Sequence, residues 1–253
     1  MKCWVRFMMV VIAMLVSVAN AGASDLHSAV EKALQGASRT DAEKARDANR
    51  MPYQTLKFFE LRDDMRVLEL IPGGGWYTKV LAPILAERGQ LYEAINTGRT
   101  TERVLGGAGF EKVKVLGLKV EPHRDGLSRR SSMDPFDFGV TDLDRVFTFR
   151  NYHNFSVAGR MEINKAVFRA LKPGGIYGVV DHTRRHMEPD NDENGRRVDP
   201  VEAIKEIESA GFEFVDYSGH LMRPKDTLIY EVGHEGVTGH TDRFTLKFRK
   251  PVK

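Results

Sequence analysis

The sequence predicts one α/β domain in which helices cover both faces of a mostly parallel sheet. Three observations carry that reading. Short apolar runs alternate with helix-compatible stretches from about residue 67 onward. The first run, Arg66-Val67-Leu68-Glu69-Leu70-Ile71-Pro72, meets Gly73-Gly74-Gly75 and then a helical pattern, which is the strand–turn–helix opening of a βαβ unit. The last run, Arg243 to Arg249, alternates apolar and polar residues, as suits an antiparallel edge strand. A chain of 253 residues, 42% apolar and 29% charged, is long enough to bury one sizeable core.

The N-terminus stands apart from that domain. Lys2 and Arg6 precede an apolar run from Phe7 to Val18, and Ala19-Asn20-Ala21 supplies small residues at the spacing that signal peptidases read. Residues 1–21 therefore read as a secretory signal peptide and residues 22–253 as a single exported domain, periplasmic or secreted from a bacterium. The run falls short of the ~20 apolar residues that a spanning helix needs, so no stable membrane insertion is expected after cleavage. Cys3 is the only cysteine and precedes the run, so the mature chain has no thiol for disulfides, metal sites or nucleophilic catalysis. Cleavage removes Lys2 and Arg6 and lowers the formal charge from +3 to +1, a balance that implies no nucleic-acid partner.

Residues from about Asp25 to Phe59 carry Leu26, Val30 and Leu34 at helical spacing and form a helical lead-in within residues 22–60. Val67 to Leu70 is a buried parallel strand. Trp76 to Glu87 is a helix interrupted or started near Pro83, and Gly89 stops it before the strand Gln90 to Ile95. Lys112 to Val120 and Leu143 to Phe149 are the third and fourth strands. Met161 to Leu171 is an amphipathic helix closed by Lys172-Pro173-Gly174-Gly175, and Ile176 to Val180 is a fifth strand ending at Asp181-His182. Residues Thr183 to Asp199, rich in Arg, Asp, Asn and Glu, read as an exposed loop. Pro200 to Ala210 is a helix, Phe212 to Tyr217 the sixth strand and Arg243 to Arg249 the seventh.

Glycines at a strand-to-helix turn let the backbone approach a ligand, and the free amides of the helix start add partial positive charge, so a nucleotide-like ligand is expected. Gly73-x-Gly75-x-x-Thr78 lacks the last glycine of the dinucleotide fingerprint, and no Lys-Ser/Thr pair follows for a phosphate loop. The run resembles instead the first motif of class I S-adenosylmethionine-dependent methyltransferases, which have a Rossmann-like, doubly wound, seven-stranded sheet. Ala170-Leu171-Lys172-Pro173-Gly174-Gly175 resembles the turn before that superfamily's fifth strand, and Val201 to Phe214 its helix before the sixth. Asp47-x-x-Arg50-x-Pro52, Pro72-Gly73-Gly74-Gly75-Trp76-Tyr77-Thr78, Tyr152-His153-Asn154 and Phe244 to Pro251 resemble a group of predicted exported bacterial methyltransferases.

The resemblance implies S-adenosylmethionine as cofactor, its methionine portion embraced by Glu69, Gly73, Gly74 and Gly75. Two positions depart from the superfamily pattern. Ile71 stands at its first glycine, and the end of the second strand, where an acid usually meets the ribose hydroxyls, carries Ile95-Asn96; Asn96 can bond one hydroxyl. Trp76 and Tyr77 can stack on the adenine or the substrate, or pack the turn. Asn151 is expected beside the cofactor.

Ligands of open α/β sheets bind at the carboxyl ends of strands, where Arg150-Asn151-Tyr152-His153-Asn154 and Asp181-His182 converge. Methyl transfer to oxygen or nitrogen needs alignment, plus a base where the acceptor carries a proton. His153 and His182 are the candidate bases, and Asp181 can orient a histidine or hold the substrate. The same side chains could serve as strand-end caps. As metal ligands they lie on different elements without helical spacing, and no metal is expected. His220, His234 and His240 are scattered in a glycine-rich stretch and read as loop residues. The function expected is methyl transfer to a small-molecule acceptor; the alternative is an exported, non-catalytic binding protein that reuses the same crevice.

Overall fold

The computed structural model describes residues 25–124, 126, 128–191 and 194–252; the expected signal peptide lies outside them. Four short helices come first: α1 (Leu26–Leu34), α2 (Asp41–Lys44), α3 (Asp47–Arg50) and α4 (Pro52–Phe58). Most of their starts are written locally. Asp25 accepts hydrogen bonds from the His27 and Ser28 amides, Thr40 and Glu43 form a capping box on α2, and Pro52 opens α4 where no N–H is required.

The strands β1 (Arg66–Leu70), β2 (Gln90–Ala94), β3 (Lys114–Val115), β4 (Leu143–Phe149), β5 (Leu171–His182), β6 (Glu213–Tyr217) and β7 (Arg243–Arg249) form one seven-stranded sheet in the order β3-β2-β1-β4-β5-β7-β6. The first five are parallel, and β7 runs antiparallel to both neighbours. β7 lies one place inside the edge, so both its faces are buried. Its polar residues Thr245 and Lys247 are covered as well as Phe244, Leu246 and Phe248. Lys247 pairs with Glu60 at 3.0 Å and sits over the Phe58 ring. Of the apolar run from Lys112 to Val120, only two residues pair as a strand.

Helices α5 (Thr78–Leu85), α6 (Gly98–Thr100, continued by a π-helical turn over Thr101–Leu105), α7 (Val157–Ala170) and α8 (Pro200–Ser209) complete the fold. Alternate strand residues separate two cores. Val67, Leu91, Phe147 and Phe149 pack with α1, α4 and α5, whereas Leu68, Leu70, Val146 and Val179 pack with α7 and α8. The lead-in is thus part of one face. Phe59, just beyond α4, stacks on Phe147 and over Gly178, where a Cβ would stand 2.8 Å from its ring. Buried Arg145 donates to the Phe59 and Glu60 carbonyls and satisfies the end of α4.

The segment Thr183 to Asp199 is only in part the expected exposed loop: residues 185–191 are largely exposed, whereas its two ends turn inward. Arg197 is fully buried and makes a two-pronged pair with Asp226 at 2.9 and 3.0 Å, with Arg184, Asn194 and Asp199 buried beside it. Charge-rich composition reads as solvent exposure only when the charges lack internal partners.

Candidate functional site

The carboxyl ends of β1, β4 and β5 open into a cleft of about 500 Å³. Glu69, Ile71, Gly73, Gly74, Trp76 and Tyr77 line it from the β1–α5 turn, and Arg150, Asn151, His153 and His182 from the tips of β4 and β5. Arg46 and Arg50 enter from the lead-in, and Arg196, Thr241 and Arg243 from the C-terminal wall. The strand tips share a backbone feature. Ile71, Ile95, Asn96 and Arg150 all have positive φ, at 52°, 66°, 51° and 61°. Ile71, a β-branched residue, is thus held in the left-handed region that favours glycine, at a cost of roughly 1–2 kcal/mol. Asn151 holds two of these tips together, its amide donating to the Ile71 and Phe149 carbonyls at 2.9 and 3.0 Å.

The structure separates the two outer glycines of the turn. Gly73 (φ 61°) faces open space, with nothing within 4 Å of where a Cβ would lie, whereas a Cβ on Gly75 (φ 77°) would stand 2.6 Å from Val104 and 3.2 Å from Thr100. Gly75 makes room for the helix after β2, and it does not line the cleft. Gly75→Val is accordingly expected to cost on the order of 3 kcal/mol from overpacking and left-handed strain. Gly73→Val should cost about 1–2 kcal/mol while blocking the cleft. Denaturant titrations of both variants check the order; a Gly75→Val protein as stable as Gly73→Val would show that Val104 does not crowd this turn.

Trp76 and Tyr77 line the cleft but are committed on their faces. The guanidinium groups of Arg39 and Arg50 lie over Trp76, 5.0 and 4.3 Å from its ring centre, and its indole N–H donates to the Glu43 carbonyl at 3.0 Å. Tyr77 stacks on Phe149 at 3.5 Å. Asn96 is exposed beyond β2 and is not among the residues that line the cleft.

Beneath the turn lies a pair of acids that sequence reasoning did not connect. Glu69 and Glu93 are direct partners in the β1–β2 register, both buried, and the Thr78 hydroxyl lies 2.8 Å from a carboxyl oxygen of each. One hydroxyl carries one hydrogen, so it can donate to only one of them; the other carboxyl must be protonated and donate in turn. Burial first, and then repulsion by Glu93, pushes Glu69 up to about 8, and burial pushes Glu93 up to about 7. The signal was present in the sequence as two acids in facing apolar strands, but only the register pairs them.

This proton has a consequence for stability. Both carboxyls titrate higher in the folded than in the unfolded chain, so their contribution is complete below pH ~4.5 and is lost as the pH rises through about 7 to 8. The free energy of unfolding should fall by at least about 1.4 kcal/mol per pH unit, the value for a single proton, between roughly pH 5 and 7. Glu93→Gln, which keeps a donor toward Thr78, should flatten that slope. Denaturant titrations at pH 5.5, 6.5 and 7.5 decide it, and an equal slope in the variant would place the proton elsewhere.

The three polar residues expected at the tips of β4 and β5 do converge. Asp181, wholly buried, accepts from the His153 and His182 backbone amides at 2.8 and 2.7 Å and lies 2.7 Å from His153 Nδ1. A carboxylate only accepts, so Nδ1 carries the hydrogen and Nε2 of His153 is left as the basic nitrogen. His182 stands 5.7 Å away, ring centre to ring centre, with Nδ1 2.8 Å from the Thr241 hydroxyl. Burial, and next the charges of His153 and Arg150, hold His182 well below the usual imidazole range, so it stays neutral. Asp181 itself does not line the cleft; the two imidazoles do. No group of three or more His, Cys, Asp or Glu side chains placed to hold a metal ion occurs among the described residues.

No protein-family model matches the chain, and no curated protein matches it. Solved structures do. A SAM-dependent methyltransferase from Aquifex aeolicus superposes with a TM-score of 0.55 at 18% identity, over 89% of this chain and 98% of that one. Human N-acetylserotonin methyltransferase, solved in complex with SAM, gives 0.52 at 13% identity over 90% of this chain and 57% of that one. The fold is that of the class I methyltransferases. The [4+2]-cyclase SpnF shares it too, at a TM-score of 0.55 and 17% identity over 81% of each chain, so the methyltransferase fold also carries other chemistry.

Proposed function

We propose that this protein is an S-adenosylmethionine-dependent methyltransferase acting on a small-molecule acceptor and exported by its N-terminal segment. The observation that carries the reading is the His153–Asp181 dyad, which opens onto the same cleft as the Glu69–Gly73–Gly74 turn. The turn suits the cofactor: Gly73 offers a left-handed backbone with open space above it, and Glu69 borders that space. Glu69, Gly73 and Gly74 would hold the methionine portion, and Asn151 keeps the neighbouring tips in place. S-adenosylmethionine, when bound, supplies a methyl group activated by its sulfonium.

The chain's own residues supply the base. His153 Nε2 accepts the proton of an acceptor O–H or N–H, and Asp181 stabilises the imidazolium that results and holds the ring in the required tautomer. His182, neutral and anchored to Thr241, orients the acceptor by hydrogen bonding rather than by charge.

Calorimetric titration with S-adenosylmethionine and S-adenosylhomocysteine tests the cofactor. Saturable binding is expected, weakened at least tenfold in Gly73→Val. No binding of either compound to the folded protein would end the methyltransferase reading. A second reading, a non-catalytic binding protein, is favoured by the β2 tip, where Asn96 points no carboxylate into the cleft and Glu93 is spent on Thr78. Binding with no methyl loss toward any acceptor would support it.

A further inference from the structure

Arg46, Arg50, Arg150 and Arg243 line the cleft near enough to repel one another, and no carboxylate bonds to any of them among the described residues. Arg50 is about nine-tenths buried, and its contacts are the faces of Trp76 and Tyr77, at 4.3 and 5.8 Å. Those contacts satisfy its plane and leave its N–H groups to the cleft. The Nε atoms of Arg46 and Arg50 are buried without a hydrogen-bond acceptor. Arg243 is almost fully buried and reaches only backbone carbonyls, of Thr241 and Asn49. Nearby acids do not balance this charge. Asp181 is committed to His153 and two backbone amides, and the Glu69–Glu93 pair holds a proton.

We propose that these four arginines form an oxyanion subsite, which takes a phosphate or a pair of carboxylates on the ligand and places it beside His153 and His182. Guanidinium groups present planar donor forks that match such anions and are poorly matched to neutral ligands. The cluster is costly without one. Burial, and next the charge of Arg150, lowers Arg50 to about 9 and Arg243 to about 10, yet both remain cationic at neutral pH. The cofactor's one carboxylate could pair with one or two of these guanidinium groups, and its sulfonium and ammonium groups bring no further negative charge for the rest. Assigning the anion to the methyl acceptor rests on the methyltransferase reading; the anion site does not.

Thermal melts of the protein at fixed ionic strength, with chloride exchanged for inorganic phosphate or for malonate, test the subsite. A saturable rise in Tm of several degrees at millimolar phosphate or malonate is expected, and the two arms tell phosphate from paired carboxylates. Arg50→Met should melt higher than wild type in chloride, because a repelling buried charge is gone, and should lose the anion-dependent rise. A purely structural Arg50 would give the reverse: a lower Tm in chloride with the rise intact. Should Arg50→Met not fold, the Arg46→Gln/Arg150→Gln double variant carries the same test. No saturable rise with either anion in wild type, or an undiminished rise in the double variant, overturns the proposal. Anion binding without S-adenosylmethionine binding would leave the subsite standing and remove the methyltransferase reading; cofactor binding without anion binding would do the opposite.

Discussion

His153→Ala is expected to lower turnover about 10²–10⁴-fold, on the order of 3–5 kcal/mol of transition-state stabilisation, while changing cofactor affinity little. The imidazole is a basic group at the cleft whose tautomer is fixed, because the Asp181 carboxylate lies 2.7 Å from Nδ1 and leaves Nε2 to accept a proton. Asp181→Asn should also be impaired. An amide there can donate to Nδ1 and so favour the wrong tautomer, a loss that deleting a mere packing group would not reproduce. The measurement is turnover against cofactor affinity in each variant, with an acceptor identified by methyl loss from the cofactor. Unchanged turnover in His153→Ala would remove the dyad from the chemistry and move the acceptor site to another part of the cleft.

Asp226→Ala should be the most damaging substitution to stability. Arg197 and Asp226 are both fully enclosed and joined through two hydrogen bonds, and Asp226 also accepts from the Leu228 and Asp242 amides at 3.0 and 2.7 Å. Removing the carboxylate leaves a buried guanidinium with only the Thr183 and Tyr230 carbonyls. Breaking a buried pair in this way costs about 3–5 kcal/mol, and at this size each kcal/mol lowers Tm by about 2–4 °C. The pair also ties residues 194–199 to residues 226–243, two stretches that together form the C-terminal wall of the cleft. Ligand binding should therefore weaken along with stability. An Asp226→Ala protein with the wild-type denaturant midpoint would mean that the wall is held by other contacts.

The two substitutions probe features that stand differently with respect to the sequence. His153, Asp181 and His182 were legible because each directly follows a strand signal, and the tips of adjacent parallel strands must meet at one edge of the sheet. The Arg197–Asp226 pair was not, since its partners are separated by 28 intervening positions that include α8 and β6 and nothing local sets their approach.

Elements whose cause lies within a few residues were determined by the sequence: the apolar strand runs and the glycine turn. The α7 start was also local, but its signal is the Ser156 side chain, which accepts from the Gly159 amide at 3.1 Å and begins the helix at Val157 instead of Met161. What only the tertiary structure decided concerns burial. Gly75 looks like a ligand glycine until Val104 is seen against it. Glu69 and Glu93 look like two independent acids until the register sets them on one hydroxyl, and nothing local signals that the fold gathers Arg46, Arg50 and Arg243 with Arg150 at one cleft. A side chain's charge state and role depend on which groups surround it, and those groups come from distant parts of the chain, where residue type and spacing carry no information about approach.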